Sequence, residues 1–156
     1  MPDSSPDLLF ALTNSLQPAR RAWQMVASRA LGESDLSLAV ATPVLLVSRL
    51  GDGVMQNVLA ERIGVHPAAL VRTLDQAESA GLLERRMVPG NRRLRAIHLL
   101  DEGRHLAQRM EKQLSALRAE VFGGIPGADI ETAIRVLQLM EERAREYATQ
   151  LPGKGD

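Results

Sequence analysis

Gln56 to Val65 reads Q-N-V-L-A-E-R-I-G-V, and His66 to Gly81 continues it as H-P-A-A-L-V-R-T-L-D-Q-A-E-S-A-G. In the first segment the apolar residues recur at helical spacing, at Leu59, Ala60 and Ile63. Gly64 follows them, and a tight turn between two helices often needs the positive φ that glycine adopts easily. The first segment therefore predicts a short helix that ends in a turn.

The second segment predicts a second helix directly after that turn. Pro67 suits an opening helical position, because the N–H that proline lacks has no partner there, and Gly81 can end the helix. Its inward stripe consists of Leu70, Leu74 and Ala77. Two short helices joined by a glycine turn form a helix-turn-helix, whose second helix can enter the major groove of DNA.

A β-hairpin is predicted directly after these helices. Leu82 to Val88 and Leu94 to Leu100 have the composition of strands, and Pro89-Gly90-Asn91 between them is a turn sequence. A hairpin in this place is a wing. Its tip and flanks carry Arg85, Arg86, Arg92, Arg93 and Arg95, against Glu84 alone. Such a patch suits phosphate contacts or insertion into a minor groove.

In this order and spacing, the residues resemble the MarR family of winged-helix transcriptional regulators over nearly the whole chain. The most specific part is N-R-R-L-R-A-I-H-L-L-D-E-G, from Asn91 to Gly103. The positions that match the family pattern in register are Arg93, Ile97, Leu99 and Gly103. Asn91 stands where the family usually has Asp, and Leu100 stands where it usually has Thr. The second change removes a helix N-cap, a role that Asp101 can take over.

Length and composition favour one mainly helical domain. The chain has 156 residues, of which 45 % are hydrophobic and 3 % aromatic, and it has no cysteine. Disulfides, thiolate chemistry and Cys-ligated zinc are therefore excluded, and no metal or cofactor is expected. The first residues resemble no signal peptide, and the longest apolar run, Leu38 to Val47, is too short for a membrane span. We expect a soluble cytoplasmic protein without a membrane partner.

The net charge is zero, but its distribution is uneven. From His66 to Arg95 there are six arginines and three acidic residues, so this stretch carries +3 and the remainder −3. A local basic face on a neutral body attracts phosphate with marked salt sensitivity. The alternative is an ordinary solvated arginine surface.

Four further helices complete the predicted architecture. They lie at about 7–31, where Pro18 predicts a kink or break near Leu16, and at 38–50, 101–122 and 128–150. Pro43, inside the second of these, is either a tolerated bend or a device that opens space for a ligand. Residues 1–6 and 152–155 are expected to be irregular. Met55 stands where the family favours a capping Ser or Thr, so either Asp52 or water caps the first helix of the helix-turn-helix.

The fold class is therefore mainly α with a small β-wing, in a single MarR-like domain spanning 1–156. We assign 37–100 to a winged helix-turn-helix DNA-binding lobe, and 7–32 with 101–150 to a helical dimerisation lobe. The amphipathic stripes of the terminal helices suggest a large apolar interface, and the resemblance implies a homodimer. A two-fold dimer would place two recognition helices in successive major grooves, on a pseudo-palindromic site in double-stranded DNA.

Residues of three segments are the candidate DNA contacts. Arg72 leads them, because it is two residues past the inward Leu70 and can bind a guanine edge or a phosphate; the alternative is an ion pair with Asp75 or Glu78. His66 either contacts phosphate or caps the helix. The full set is Gln56, Asn57, His66, Pro67, Ala68, Ala69, Arg72, Thr73, Gln76, Asn91, Arg92, Arg93 and Arg95.

The resemblance also implies a small-molecule effector, often an aromatic or phenolic acid, that releases the DNA. Arg20, Arg21 and Trp23 lie on the first helix near where such a cleft would be, although core packing also accounts for Trp23. The function predicted is a ligand-responsive transcriptional regulator, more often a repressor in this family. The alternative is a winged-helix protein-interaction module that does not bind DNA. An enzyme has little support, because the histidines are scattered and nucleophile, phosphate-loop and metal motifs are absent from the sequence.

Overall fold

A computed structural model describes residues 5–32 and 37–151 of the chain. The helices are α1 (Pro6–Leu31), α2 (Leu38–Leu50), α3 (Gln56–Ile63), α4 (Pro67–Ser79), α5 (Asp101–Val121) and α6 (Gly127–Gln150), and the strands are β1 (Val54–Met55), β2 (Leu83–Val88) and β3 (Asn91–Leu99). The predicted class, mainly helical with a small β-wing, is confirmed. Of the ends expected to be irregular, 1–6 and 152–155, residues 1–4 and 152–155 lie outside the described residues, and the expectation was wrong for Pro6, which is helical.

Helix α1 begins earlier than predicted and runs through its proline. Ser5 is the N-cap, its Oγ accepts from the Leu8 N–H at 3.2 Å, and Pro6 is the first helical residue. Pro18 lies inside the continuous helix, so, of the predicted kink or break near Leu16, the break does not occur. In α2, Ser37 takes the N-cap position but makes no side-chain capping bond, and Pro43 is buried within the helix.

The sheet has a strand that sequence analysis missed. The order is β1-β3-β2, and both pairings are antiparallel. Val54 in β1 pairs with Ile97 in β3, so the two residues before α3 are tied to the base of the wing. The wing turn is the two residues Pro89 and Gly90, because Asn91 already belongs to β3 and pairs with Val88.

One core holds the winged helix-turn-helix together. The largest fully buried side chains come from α2, α3, α4, both long strands and α5, and they are Pro43, Val44, Val47, Leu59, Leu70, Leu74, Leu83, Ile97 and Met110. From α1, Ala27 and Leu31 join this core. Because α3 and α4 bury their apolar stripes in the same cluster, the opposite face of α4 is left to solvent.

The chain forms two compact units, Met1–Leu117 and Arg118–Asp156, whose boundary falls within α5. Within the second unit, no residue of α6 is buried, and Ile134, Leu137 and Tyr147 are exposed. In the first unit, the beginning of α1 exposes Leu8, Leu9 and Phe10. No helix in the described ranges combines the length and the apolarity that crossing a bilayer requires.

The start of α5 packs against the end of the helix-turn-helix at van der Waals limits. Leu82 follows α4, and its carbonyl oxygen accepts from the Leu100 N–H at 3.0 Å. A Cβ on Gly103 would lie 1.9 Å from that same oxygen and 2.9 Å from the Leu82 carbonyl carbon. Any other residue at position 103 therefore forces two backbone segments apart, which accounts for the glycine at the matched family position.

We predict that Gly103→Ala lowers the free energy of unfolding by about 3 kcal/mol or more, the upper end of the range for overpacking, because the clash is with backbone rather than a movable side chain. Gly127→Ala is the matched control, since a Cβ there meets nothing within 4 Å. Urea unfolding followed by circular dichroism measures both. Equal midpoints for the two variants would contradict the prediction.

Candidate nucleic-acid interface

The helix-turn-helix has the turn that the sequence predicts. Gly64 is left-handed (φ 75°), and its N–H donates to the carbonyl oxygens of Ala60 and Glu61 at 3.0 and 3.1 Å. The Val65 N–H also donates to the Ala60 oxygen at 3.1 Å. These bonds close α3 and turn the chain into α4, whose exposed residues are Pro67, Ala68, Ala69, Val71, Arg72, Asp75, Gln76 and Ser79.

Arg72 lies on this exposed face, and its guanidinium has no carboxylate partner within the described ranges. The ion pair considered as its alternative does not form, because Asp75 and Glu78 both bind Arg85 instead. Gln76 lies one turn further along the same face. The two side chains are therefore available to a partner outside the protein.

His66 and Thr73 each use a side-chain polar atom for a hydrogen bond to the backbone of α4. The His66 Nδ1 accepts from the Ala68 N–H at 3.2 Å, so His66 caps α4, one of the two roles that the sequence left open. The Thr73 hydroxyl is half-buried and donates to the Ala69 carbonyl oxygen at 3.3 Å. Both residues therefore have fewer polar atoms free to hydrogen-bond to a DNA base.

Two arginines of the wing are exposed to solvent, and a third makes hydrogen bonds within the wing. The Asn91 Oδ1 accepts from the Arg93 N–H at 3.0 Å, so an amide oxygen supplies the acceptor where the family pattern has a carboxylate. Arg95 is half-buried, and its Nη1 donates to the carbonyl oxygens of Arg92 and Leu94 at 2.7 and 3.2 Å. Arg92 and Arg93 are exposed.

Two arginines expected in the phosphate-binding patch are paired with acids in the structure, and the patch does not face Glu84 alone. Arg85 Nη2 donates to Asp75 Oδ1 at 2.5 Å and to Glu78 Oε2 at 2.6 Å, and the Arg85 N–H donates to Glu78 Oε1 at 3.0 Å. The Arg86 Nε donates to Glu84 Oε1 at 2.7 Å. Hydrogen bonds from Arg85 lower the pKa of Glu78, and those from Glu78 raise the pKa of Arg85. Arg85 therefore joins α4 to β2.

A small concavity of about 150 Å³ brings three predicted segments together. Gln56 and Asn57 line it from the start of α3, Pro67 from the start of α4, and Arg93, Leu94 and Arg95 from the wing. The starts of both helices and the wing strand thus share one surface. Backbone and amide donors beside guanidinium groups are the set that binds a phosphate oxygen.

Asp52 has a role that sequence analysis missed. Met55 is the N-cap of α3 and makes no side-chain bond, so Asp52 does not cap that helix. Its Oδ1 accepts from the Leu99 N–H at 2.8 Å, and its Oδ2 accepts from Arg104 Nη1 at 2.9 Å. These bonds, led by the one from Leu99, lower the pKa of Asp52. The carboxylate therefore fixes the end of β3 to the start of α5. Asp101, expected as that helix's N-cap, is already its first residue.

A larger cavity, about 280 Å³, adjoins the inner side of α4. Of the predicted ligand residues, Arg20 lines it, and its Nη1 would lie 3.9 Å from a Cβ on Gly64 in the helix turn. Trp23 packs against the core instead, and Arg21 is exposed. The remaining lining consists of Gln24, Leu38, Ala39, Thr42, Pro43, Ile63, Val65, Ala69, Leu70 and Thr73.

Solved structures share this fold. The transcriptional regulator PA3341 is 29 % identical with a TM-score of 0.79, over 86 % of this chain and 98 % of its own. A MarR-family transcriptional regulator from Rhodococcus sp. RHA1 is 26 % identical with a TM-score of 0.74, over 87 % and 96 %. A Listeria monocytogenes protein classed with the MarR regulators and complexed with 26mer DNA is 14 % identical with a TM-score of 0.78, over 92 % and 97 %. No family model matches the sequence.

We predict that Asp52→Asn makes stability less dependent on pH in the acid range. Asp52 has a lowered pKa in the folded state, so its carboxylate stabilises the fold above the unfolded-state value of about 3.9, and this contribution disappears as pH falls through the lower folded value. The Asn oxygen can still accept from Leu99 but carries no charge. Because the Asp52 side chain is 38 % exposed, the difference should stay below about 1 kcal/mol.

Thermal unfolding of both proteins between about pH 6 and pH 3 tests this range, which brackets the ordinary aspartate pKa. The wild type should lose stability more steeply than Asp52→Asn. Asp101→Asn, at a side chain that is 92 % exposed, serves as the control and should follow the wild type. Parallel curves for wild type and Asp52→Asn would overturn the assignment.

Proposed function

We propose that this chain, whose fold is that of the MarR family of transcriptional regulators, is a homodimeric, sequence-specific DNA-binding regulator, a repressor released by a small organic acid. The observation that carries DNA binding is the separation of the arginines between His66 and Arg95 into two groups. The three acids of this stretch bind Arg85 and Arg86. Arg72, Arg92, Arg93 and Arg95 have no carboxylate partner in the described part of the chain.

This separation resolves the difficulty of a neutral chain. The paired group carries a net charge of −1, because two guanidinium groups face three carboxylates, whereas the four unpaired guanidinium groups carry +4 and dominate the field outside α4 and the wing. A positive surface of this kind attracts the phosphate backbone even when the whole protein has no net charge. The relative complexed with 26mer DNA has the same fold, which supports carrying DNA binding over to this chain.

The exposed apolar side chains of the terminal helices support the homodimer. Leu8, Leu9 and Phe10 in α1 are 63 %, 52 % and 67 % exposed, and Tyr147 in α6 is 64 % exposed. Large apolar side chains exposed beside one another on the surface of a single chain, as the three consecutive residues of α1 are, mark an interaction site. A two-fold dimer through such surfaces would present two copies of α4 to half-sites about 10 base pairs apart.

The cavity beside α4 supports the effector. Most of its lining is apolar, and the guanidinium group of Arg20 lies at the turn between α3 and α4. An apolar cavity with one cation in its lining suits a ligand with a hydrophobic body and a carboxylate. Since Ala69, Leu70 and Thr73 belong to the recognition helix itself, a ligand here would act on the element that contacts DNA.

We predict that Arg72→Ala weakens binding to a selected duplex by about 5- to 150-fold, since a bidentate contact to guanine contributes about 1–3 kcal/mol. Arg93→Ala should weaken binding to all sequences alike and reduce the slope of log affinity against log salt by about 1. Fluorescence anisotropy at several salt concentrations measures both.

Arg109→Ala, at an exposed position on α5, is the control for the loss of one positive charge. It should bind DNA like the wild type. If the wild type binds no duplex in selection from random sequences, the chain is a winged-helix interaction module instead.

We predict that an aromatic carboxylate lowers the DNA affinity of the wild type and that Arg20→Ala removes this response while DNA binding persists. The test adds benzoate, 4-hydroxybenzoate or cinnamate to the protein–DNA complex. Arg21→Ala is the matched control, because the neighbouring side chain does not line the cavity, and it should respond like the wild type. A response that Arg20→Ala retains in full would refute the assignment of this cavity.

A further inference from the structure

The start of the recognition helix, α4, has an exposed apolar surface. Pro67, Ala68, Ala69 and Val71 are all exposed, and none of their side chains contains a polar atom. Val71 is a β-branched residue that is 37 % exposed. The N-terminal residues of a recognition helix are the ones that contact base edges. An apolar surface at this position therefore restricts what the helix can recognise.

The polar groups around this apolar surface are committed elsewhere. The His66 Nδ1 accepts from Ala68, the Thr73 hydroxyl donates to Ala69, and Asp75 binds Arg85. On the exposed face of α4, this leaves Arg72 and Gln76 as the long side chains able to hydrogen-bond to a base. This helix therefore cannot recognise a DNA sequence through a large number of hydrogen bonds to bases.

The major groove contains one apolar feature, the C5 methyl group of thymine. Contact between that methyl group and an alanine or valine side chain removes apolar surface of both from water, which is favourable. A cytosine or adenine amino group facing the same side chains would lose a water partner without replacement, which is unfavourable. The exposed carbon of α4 thus favours thymine.

We propose that Ala68 and Val71 read thymine methyl groups in the operator half-site, next to a base that Arg72 hydrogen-bonds. This inference rests on the proposed DNA-binding function and names the chemical group that is recognised. Residues three or four apart on a helix have Cβ atoms about 5–6 Å apart, and bases along a strand are about 3.4 Å apart. The thymines therefore lie within about two base pairs of the base that Arg72 contacts.

The test begins with selection of bound duplexes from random 26-base-pair DNA by the full-length protein. The selected duplex is then synthesised with deoxyuridine in place of each thymine in turn, which removes only the methyl group. At the thymines that Ala68 or Val71 contacts, affinity should fall about fourfold, the effect of one buried carbon group, and it should be unchanged at the others.

Two variants connect the effect to the residues. Val71→Ala shortens one side chain and should reduce the difference between thymine and uracil at its own position, whereas Ala68→Gly removes the other side chain and should abolish the difference at its position. Ser79→Ala, at the opposite end of α4, should preserve the difference at every position. Circular dichroism establishes that the variants fold, and Val71→Ala keeps the test valid if Ala68→Gly weakens the helix.

The outcomes separate this inference from the function on which it rests. Selection of a defined duplex without sensitivity to uracil overturns the thymine readout and leaves DNA binding in place. A uracil effect of equal size in the wild type and both variants assigns it to DNA shape and also overturns the readout. Failure to select any DNA overturns both.

Discussion

The Leu82 carbonyl group is the point at which the recognition helix, the wing and α5 are joined. Its oxygen accepts from the Leu100 N–H, and the Gly103 backbone passes so close that a methyl group there would overlap it. Leu82 follows the last turn of α4, and Leu100 follows β3. The geometry of the surface offered by α4 and the wing therefore depends on one close backbone contact, and that contact depends on a single glycine.

Two groups of ionic contacts reinforce the same arrangement. Arg85 connects β2 to α4 through Asp75 and Glu78, and Asp52 connects β3 to α5 through Arg104. Each is partly exposed, so neither contributes much to the free energy of folding on its own. Their effect is on position: both use acceptors that also bind a backbone N–H, which fixes the angle between helix and strand more than a point-charge attraction would.

Much of this architecture could be predicted from the sequence because it is local. The helix-turn-helix follows from apolar spacing and Gly64, and the hairpin follows from strand composition around Pro89 and Gly90. β1 was missed because two residues have no detectable period. The pairing of Arg85 was missed because Asp75 and Glu78 are ten and seven residues away in another element, and only the tertiary fold brings them together. The role of Asp52 was missed for the same reason, since its partners Leu99 and Arg104 are 47 and 52 residues away in the sequence.

The two proposals, thymine readout and a ligand in the cavity, involve opposite sides of α4. Ala68, Val71 and Arg72 face the solvent, whereas Leu70 and Thr73 line the cavity beside Arg20. A ligand in that cavity and a DNA base on the outer face would be separated by the width of one helix, so a small rotation of α4 alters both contacts. Recognition of thymine methyl groups by apolar side chains makes DNA binding sensitive to such a rotation, because van der Waals attraction weakens sharply when a gap of about 0.5–1 Å opens. By thermodynamic reciprocity, bound DNA must lower the affinity for the ligand by the same factor by which the bound ligand lowers the affinity for DNA.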